Sequence, residues 1–234
     1  MADRDRIIKT TTELLAGIPP HVTVVAAAKY HTPEDVLAAV EAGISVIGEN
    51  YVQEARRMVD ILGRRVRWHL IGSLQKNKVK YAVDLFDLIE TVDSASLAEA
   101  LDARCAAVHR TMPVLIEVNS GLESDKSGVH PEQAEDLVRR VGRLRHLRVQ
   151  GLMTMGPLLA TPEDYRPFFQ DTKHLFDHIA AARIPGAEMR YLSMGMSDSY
   201  QVAIEESANV VRIGTAIFGP RTYPNAQQPP PSTT

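Results

Sequence analysis

Lys29 is the first residue whose type and setting point to chemistry. It closes the run Thr23-Val-Val-Ala-Ala-Ala-Lys29, so its stem lies against apolar neighbours, where desolvation lowers an amine's pKa from about 10.4 and favours the neutral, nucleophilic form. Such an amine forms Schiff bases with carbonyl compounds. The same position also suits a lysine that snorkels to solvent. Arg212 is the second. Val210, Arg212 and Gly214 alternate onto one face of an apolar run, and an arginine on a buried face requires either a carboxylate or a bound ligand to offset its desolvation. Two small-residue segments complete the set, Ser193-Met-Gly-Met-Ser197-Asp-Ser and Ile213-Gly-Thr215. Segments of this kind either make ordinary turns or bind phosphate through loop amides and a helix N-terminus.

Other patterns carry less. Gly214-x-x-x-x-Gly219 is followed by Pro220-Arg221 and lacks the Lys-Ser/Thr of a P-loop. His174 and His178 have helical i, i+4 spacing without the glutamate of a zinc motif, and are expected on a solvent-exposed helix face. Lys76, Lys78 and Lys80 have no aromatic partners for nucleic acid and read as a solvated face. The single cysteine, Cys105, can form neither an internal disulfide nor a Cys-x-x-Cys site and is expected to pack as a small apolar residue. No metal site is expected.

The elements that must position these residues alternate along the chain. Strand-like runs fall near residues 23–29, 44–50, 66–72, 88–92, 114–119, 149–155, 189–193 and 210–218, with helical patterns near 75–82, 94–108, 131–141, 162–183 and 199–206. Two further helices lie between the first strands. Thr32-Pro33-Glu34-Asp35 combines an N-cap, a proline at the first helical position and a capping-box acid, and Gly43 ends that helix. Val52, Ala55, Val59 and Leu62 line one face of the next, which Gly63 stops. Eight such repeats predict an α/β fold consisting of a single (β/α)8 TIM barrel over residues 1–223, with an open doubly wound sheet as the alternative. In a barrel, functional residues gather where the strands end. That places Lys29, Asn50, His69, Asn119, Ser193 to Ser197 and Arg212 to Thr215 together. Residues 224–234, rich in proline, are expected to form a disordered tail.

Composition narrows the partners. With 26 Lys+Arg against 29 Asp+Glu and a net charge of -3, the chain has no general attraction for nucleic acid or an anionic membrane. Its longest apolar stretch, 22–28, is far short of the roughly 18 residues that cross a bilayer. The charged start has no apolar signal core behind it, so a cytoplasmic location is expected.

Taken in order, Ala28-Lys29, Gly48-Glu-Asn-Tyr-Val-Gln-Glu54, Trp68-His-Leu-Ile-Gly-Ser-Leu-Gln-Lys-Asn-Lys78, Lys126-Ser-Gly128, Gly151-Leu-Met153, Ser193-Met-Gly-Met-Ser197 and Val211-Arg-Ile-Gly-Thr-Ala-Ile-Phe-Gly219 closely resemble the pyridoxal phosphate homeostasis family, whose barrel is similar to the N-terminal domain of alanine racemase. The resemblance runs from about Val22 to Gly219. It implies pyridoxal 5'-phosphate (PLP) as cofactor, with Lys29 bonded to the aldehyde, Ser197, Gly214 and Thr215 around the phosphate, and Arg212 facing the pyridine nitrogen. Asn50, His69 and Met196 match motif positions near the ring without a definite role. An arginine stays protonated and accepts no proton, so the ring would be a weak electron sink. Two positions depart from the family pattern. Ser199 replaces an acidic residue, and the residues around the lysine read Ala28-Lys29-Tyr30-His31.

The function implied is intracellular PLP homeostasis, in which a monomer holds PLP with little or no turnover and passes it to PLP-dependent apo-enzymes. A low-activity racemase is the alternative, but racemisation needs a second acid-base group on the far face, supplied in alanine racemase by a separate domain. A Schiff-base aldolase acting on a phosphorylated sugar is a third reading, open to the same lysine and loops.

Overall fold

In the computed structural model, which describes residues 2–124, 126–157 and 159–220, eight parallel strands pair in chain order into a closed barrel. They are β1 (Thr23–Ala27), β2 (Val46–Glu49), β3 (Arg67–Leu70), β4 (Leu88–Val92), β5 (Met112–Glu117), β6 (Leu147–Met153), β7 (Ala187–Ser193) and β8 (Val210–Ile213). The seam closes between the first strand and the last, with Thr23 opposite Val210 and Val25 opposite Arg212. The Pro-rich tail lies outside the described residues.

Around the strands run α1 (Ala2–Ala16), α2 (Pro33–Glu41), α3 (Val52–Leu62), α4 (Val79–Leu85), α5 (Ala95–Ala107), α6 (Pro131–Gly142), α7 (Arg166–Ala181), α8 (Tyr200–Glu205) and α9 (Thr215–Phe218). Local chemistry explains their starts. At α2, the Thr32 side chain accepts from the Asp35 amide and the Asp35 carboxylate accepts from the Thr32 amide, the reciprocal cap the sequence predicts. Most apolar side chains fill the layer between strands and helices, including Trp68, Phe86, Leu101 and Phe169. The barrel interior holds a smaller apolar group, Val25, Val46, Ile71 and Val210.

The fold differs from expectation at both ends. The strand expected over 210–218 stops at Ile213, because both the Ile217 and Phe218 amides turn back to the Gly214 carbonyl and make 215–218 the single turn of α9. A helix absent from the sequence reading, α1, packs on α2 and α9. Ile7 is its buried anchor, and Arg6 donates to the Phe218 carbonyl at 2.7 Å. One turn of α9 is too short to cover the barrel seam, and α1 supplies that cover.

Between β6 and β7 the register slips, Val149 standing opposite Ala187 but Gly151 opposite Tyr191. Gly151 sits at φ +145°, and a Cβ there would lie 1.8 Å from the Tyr191 carbonyl oxygen. Only glycine permits this approach.

Candidate functional site

Beside its apolar group, the barrel interior carries a buried polar line where a TIM barrel is ordinarily filled by branched apolar side chains. Arg212, only 4% exposed, donates from Nη1 to Ser193 Oγ at 2.7 Å and from Nη2 to the Thr154 carbonyl at 2.8 Å. The Ser193 hydroxyl in turn donates to Glu90 Oε2 at 2.6 Å, and the other carboxylate oxygen accepts from His69 Nδ1 at 2.7 Å. One hydrogen-bonded line thus joins β3, β4, β7 and β8. The carboxylate Arg212 requires is Glu90, which reaches it through Ser193. Burial pushes Glu90 up, but the bond from His69 and the charges of His69 and Arg212 outweigh it and hold the carboxyl below its ordinary value. Burial in turn pulls Arg212 down, opposed by Glu90 and then Glu117.

His69 stands deeper than its motif position suggests. It lines a cavity of about 90 Å³ with Thr23, Arg67, Asp87 and Leu88, at the N-terminal ends of the strands, and is linked toward the mouth through Glu90, Ser193 and Arg212.

At the opposite, C-terminal mouth, Lys29 follows β1 by two residues and is half-buried, so its stem is less enclosed than the apolar run before it suggests. Its Nζ lies 4.8 Å from the centroid of the Tyr30 ring and 4.9 Å from that of Tyr51. Hydrogen bonding to Tyr30 and then to Lys29 holds the Tyr51 phenol below its ordinary value, while Tyr30 is raised, chiefly by its bond to Tyr51.

Across the seam, Ser197 Oγ accepts from the amides of Gly214 and Ala216, both at 3.2 Å. This brings the β7 loop onto the start of α9 and sets Ser197, Gly214 and Thr215 side by side. Ser199, the departure from the family pattern, closes that loop itself. Its Oγ accepts from the Met196 amide at 3.2 Å, and its own amide returns to the Met196 carbonyl at 3.0 Å. Met196 is thereby held at the mouth by its backbone.

Asn50 lines a cleft of about 280 Å³ with Ser73, Glu117, Ser120, Lys126 and Met155. Asn119 is occupied within its own loop, where both amide atoms bond to the Glu123 backbone. Glu117 is 8% exposed and its Oε2 has no partner among the described residues. Burial, and then the charge of Asp93, push it to about 7 against the pull of Arg212. Sequence reasoning missed Glu90, Glu117, Tyr30 and Tyr51. The readable signal for the first two is a carboxylate inside an apolar strand run, in Leu88-Ile-Glu-Thr-Val92 and Val114-Leu-Ile-Glu-Val118.

Nothing here resembles a metal centre: among the described residues no three His, Cys, Asp or Glu side chains converge. His174 and His178 are exposed, and Cys105 is buried in α5. No helix among these residues is long and apolar enough to cross a membrane.

Comparison with known proteins agrees with this fold. The family model described as alanine racemase, N-terminal domain, matches residues 3–222. A pyridoxal phosphate homeostasis protein of Aquifex aeolicus (strain VF5) is 41% identical over 198 residues, spanning 84% of this chain and 86% of that protein. Among solved structures, PipY of Synechococcus elongatus PCC7942 without PLP superposes with a TM-score of 0.86 at 32% identity, covering 91% of this chain and 100% of PipY. The same protein with PLP bound gives 0.83 at 30% identity over the same shares. With the fold, the ordered motifs and the identity over most of both chains in agreement, the chain belongs to the pyridoxal phosphate homeostasis protein family, within the barrels of the alanine racemase N-terminal-domain type.

Proposed function

We propose that this chain binds pyridoxal 5'-phosphate as a Schiff base on Lys29 and serves PLP homeostasis in the cytoplasm, holding and releasing the cofactor with little or no turnover. The observation that carries this is the junction at the barrel seam. Lys29 follows β1, while Arg212 lies in β8, its hydrogen-bonded neighbour, and Gly214 and Thr215 come directly after it. An amine, a buried guanidinium and a small-residue anion loop suit an aldehyde, a ring nitrogen and a phosphate respectively.

When bound, PLP supplies an electrophilic carbon and an electron-withdrawing ring. The chain's own residues do the rest. Lys29 provides the bonding nitrogen. Ser197, Gly214 and Thr215 orient the phosphate, with Met196 on the same loop and Asn50 across the mouth. Arg212, fixed at both Nη atoms, presents a permanent positive charge to the ring nitrogen and gives it no proton to share. That last property disfavours carbanion chemistry and supports a carrier over a racemase. His69 acts at a distance, holding Glu90 so that Glu90 and Ser193 hold Arg212. The proposed carrier is a monomer that hands PLP to apo-enzymes.

The test is a visible absorption spectrum of the purified chain before and after borohydride, with mass mapping of the reduced adduct. A yellow band lost on reduction and an adduct on Lys29 are expected. A chain that stays colourless in PLP sinks the reading and favours an aldolase. Steady alanine racemisation abolished by Lys29→Ala would instead make it an enzyme.

A further inference from the structure

Tyr30 and Tyr51 belong to no part of the scheme above, yet they are the aromatic rings set against the Lys29 nitrogen. Their placement is not explained by packing. Tyr30 and Tyr51 are 38% and 43% exposed, so neither ring contributes much to the core. Tyr30 nonetheless occupies the left-handed region, at φ +66°, which a bulky side chain rarely adopts and which costs backbone strain. The strain turns the chain sharply after Lys29 and lays the Tyr30 ring beside it. His31 anchors the turn, its ring stacked on Phe218 at 4.4 Å between centroids. Tyr51 arrives from the neighbouring strand. Ala27 of β1 pairs with Gly48 of β2, Asn50 and Tyr51 follow, and Tyr51 stands as the N-cap of α3 with its ring 6.3 Å from that of Tyr30.

We infer that Tyr51, held in place by Tyr30, is the acid-base group that carries protons to and from the Lys29 nitrogen as its bond to an aldehyde forms and breaks. The inference rests on the Lys29 assignment above. The proton balance requires such a group. Of the three protons on the Lys29 ammonium, one must pass to a base, which frees the lone pair that attacks the aldehyde carbon. The other two depart with the aldehyde oxygen as water while a C=N bond replaces C=O. Tyr51 takes the first proton and releases it to solvent, and relays one of the others to the leaving oxygen. Release runs the same path backwards. The groups that face the Tyr51 hydroxyl favour the role: Lys29 and the Tyr30 hydroxyl stabilise its phenolate, against Glu54 on its own helix.

A shuttle accelerates bonding and release equally and leaves affinity alone. Wild-type chain and Tyr51→Phe, both stripped of cofactor, are mixed with PLP in a stopped-flow spectrometer, and the C=N band is followed during binding and during chase with excess amine. Phe keeps the ring and its contact with the ammonium but removes the hydroxyl. Tyr51→Phe is expected to slow both directions by at least about tenfold while the dissociation constant changes less than about twofold, and imidazole buffer, which forms no imine, is expected to restore much of the loss. Tyr30→Phe, which removes the supporting hydroxyl, is expected to fall between. Wild-type rates in Tyr51→Phe, or a weakened affinity with no rescue by imidazole, overturn the inference while leaving PLP on Lys29. If the wild-type chain forms no bond at Lys29, both readings fail together.

Discussion

Two glutamates carry the clearest consequences at the scale of single residues. Glu49 lies on the outer face of β2, fully buried with neither carboxylate oxygen bonded among the described residues. Burial, and then the charge of Glu54, raise it to about 8, while Glu117 is raised to about 7. Both therefore hold a proton more tightly folded than unfolded. Their contribution to stability is complete below about pH 4.3 and is lost as pH rises through 7 for Glu117 and 8 for Glu49. Glu49→Gln is expected to match wild type near pH 5 and to exceed it by about 1–3 kcal/mol at pH 9, read from urea denaturation at both pH values. Arg212 runs the other way. Arg212→Met leaves Glu90 buried without its cation and is expected to cost about 3–5 kcal/mol in the cofactor-free chain, alongside weaker PLP binding. The arginine's need for either a carboxylate or a ligand was legible from its position in an apolar run. Which carboxylate answered it was not, because Glu90 and Arg212 meet across the barrel through Ser193, a relation set by closure and invisible to periodicity.

Among the elements, those with chemical punctuation were readable. Thr32 and Gly63 mark helix ends that the structure keeps, and the order of strands follows from alternation with helices. The N-terminal helix escaped because Thr10-Thr11-Thr12 and the charged start break up the face formed by Ile7, Thr11 and Leu14. Its value shows only in tertiary structure, as the cover over α9. Ile7→Ala is expected to lose about 2–5 kcal/mol in denaturant titration, although no strand is touched. The β6–β7 slip was equally hidden, since a glycine in a strand run announces a bulge without its register. Gly151→Ala drives a methyl into the Tyr191 carbonyl. It is expected to abolish the cooperative unfolding transition or lower its midpoint sharply, as circular dichroism would report.

For the molecule as a whole, the seam between β1 and β8 sets a schedule as well as a shape. Lys29 is made before Gly214 and Thr215, and the two halves of the proposed site are separated by the synthesis of seven of the eight strands. Until β8 pairs with β1 the proposed site is incomplete, and a nascent chain carries Lys29 without the loop proposed to hold the phosphate. Only the finished barrel can be loaded. On the proposed reading, a ligand bonded to Lys29 just past the first strand and gripped beside the last would act as a clasp on the closure, so hydrogen exchange at β1 and β8 should slow on PLP binding more than at β4 and β5. Pairing of the last strand with the first is thus the step that completes the proposed site.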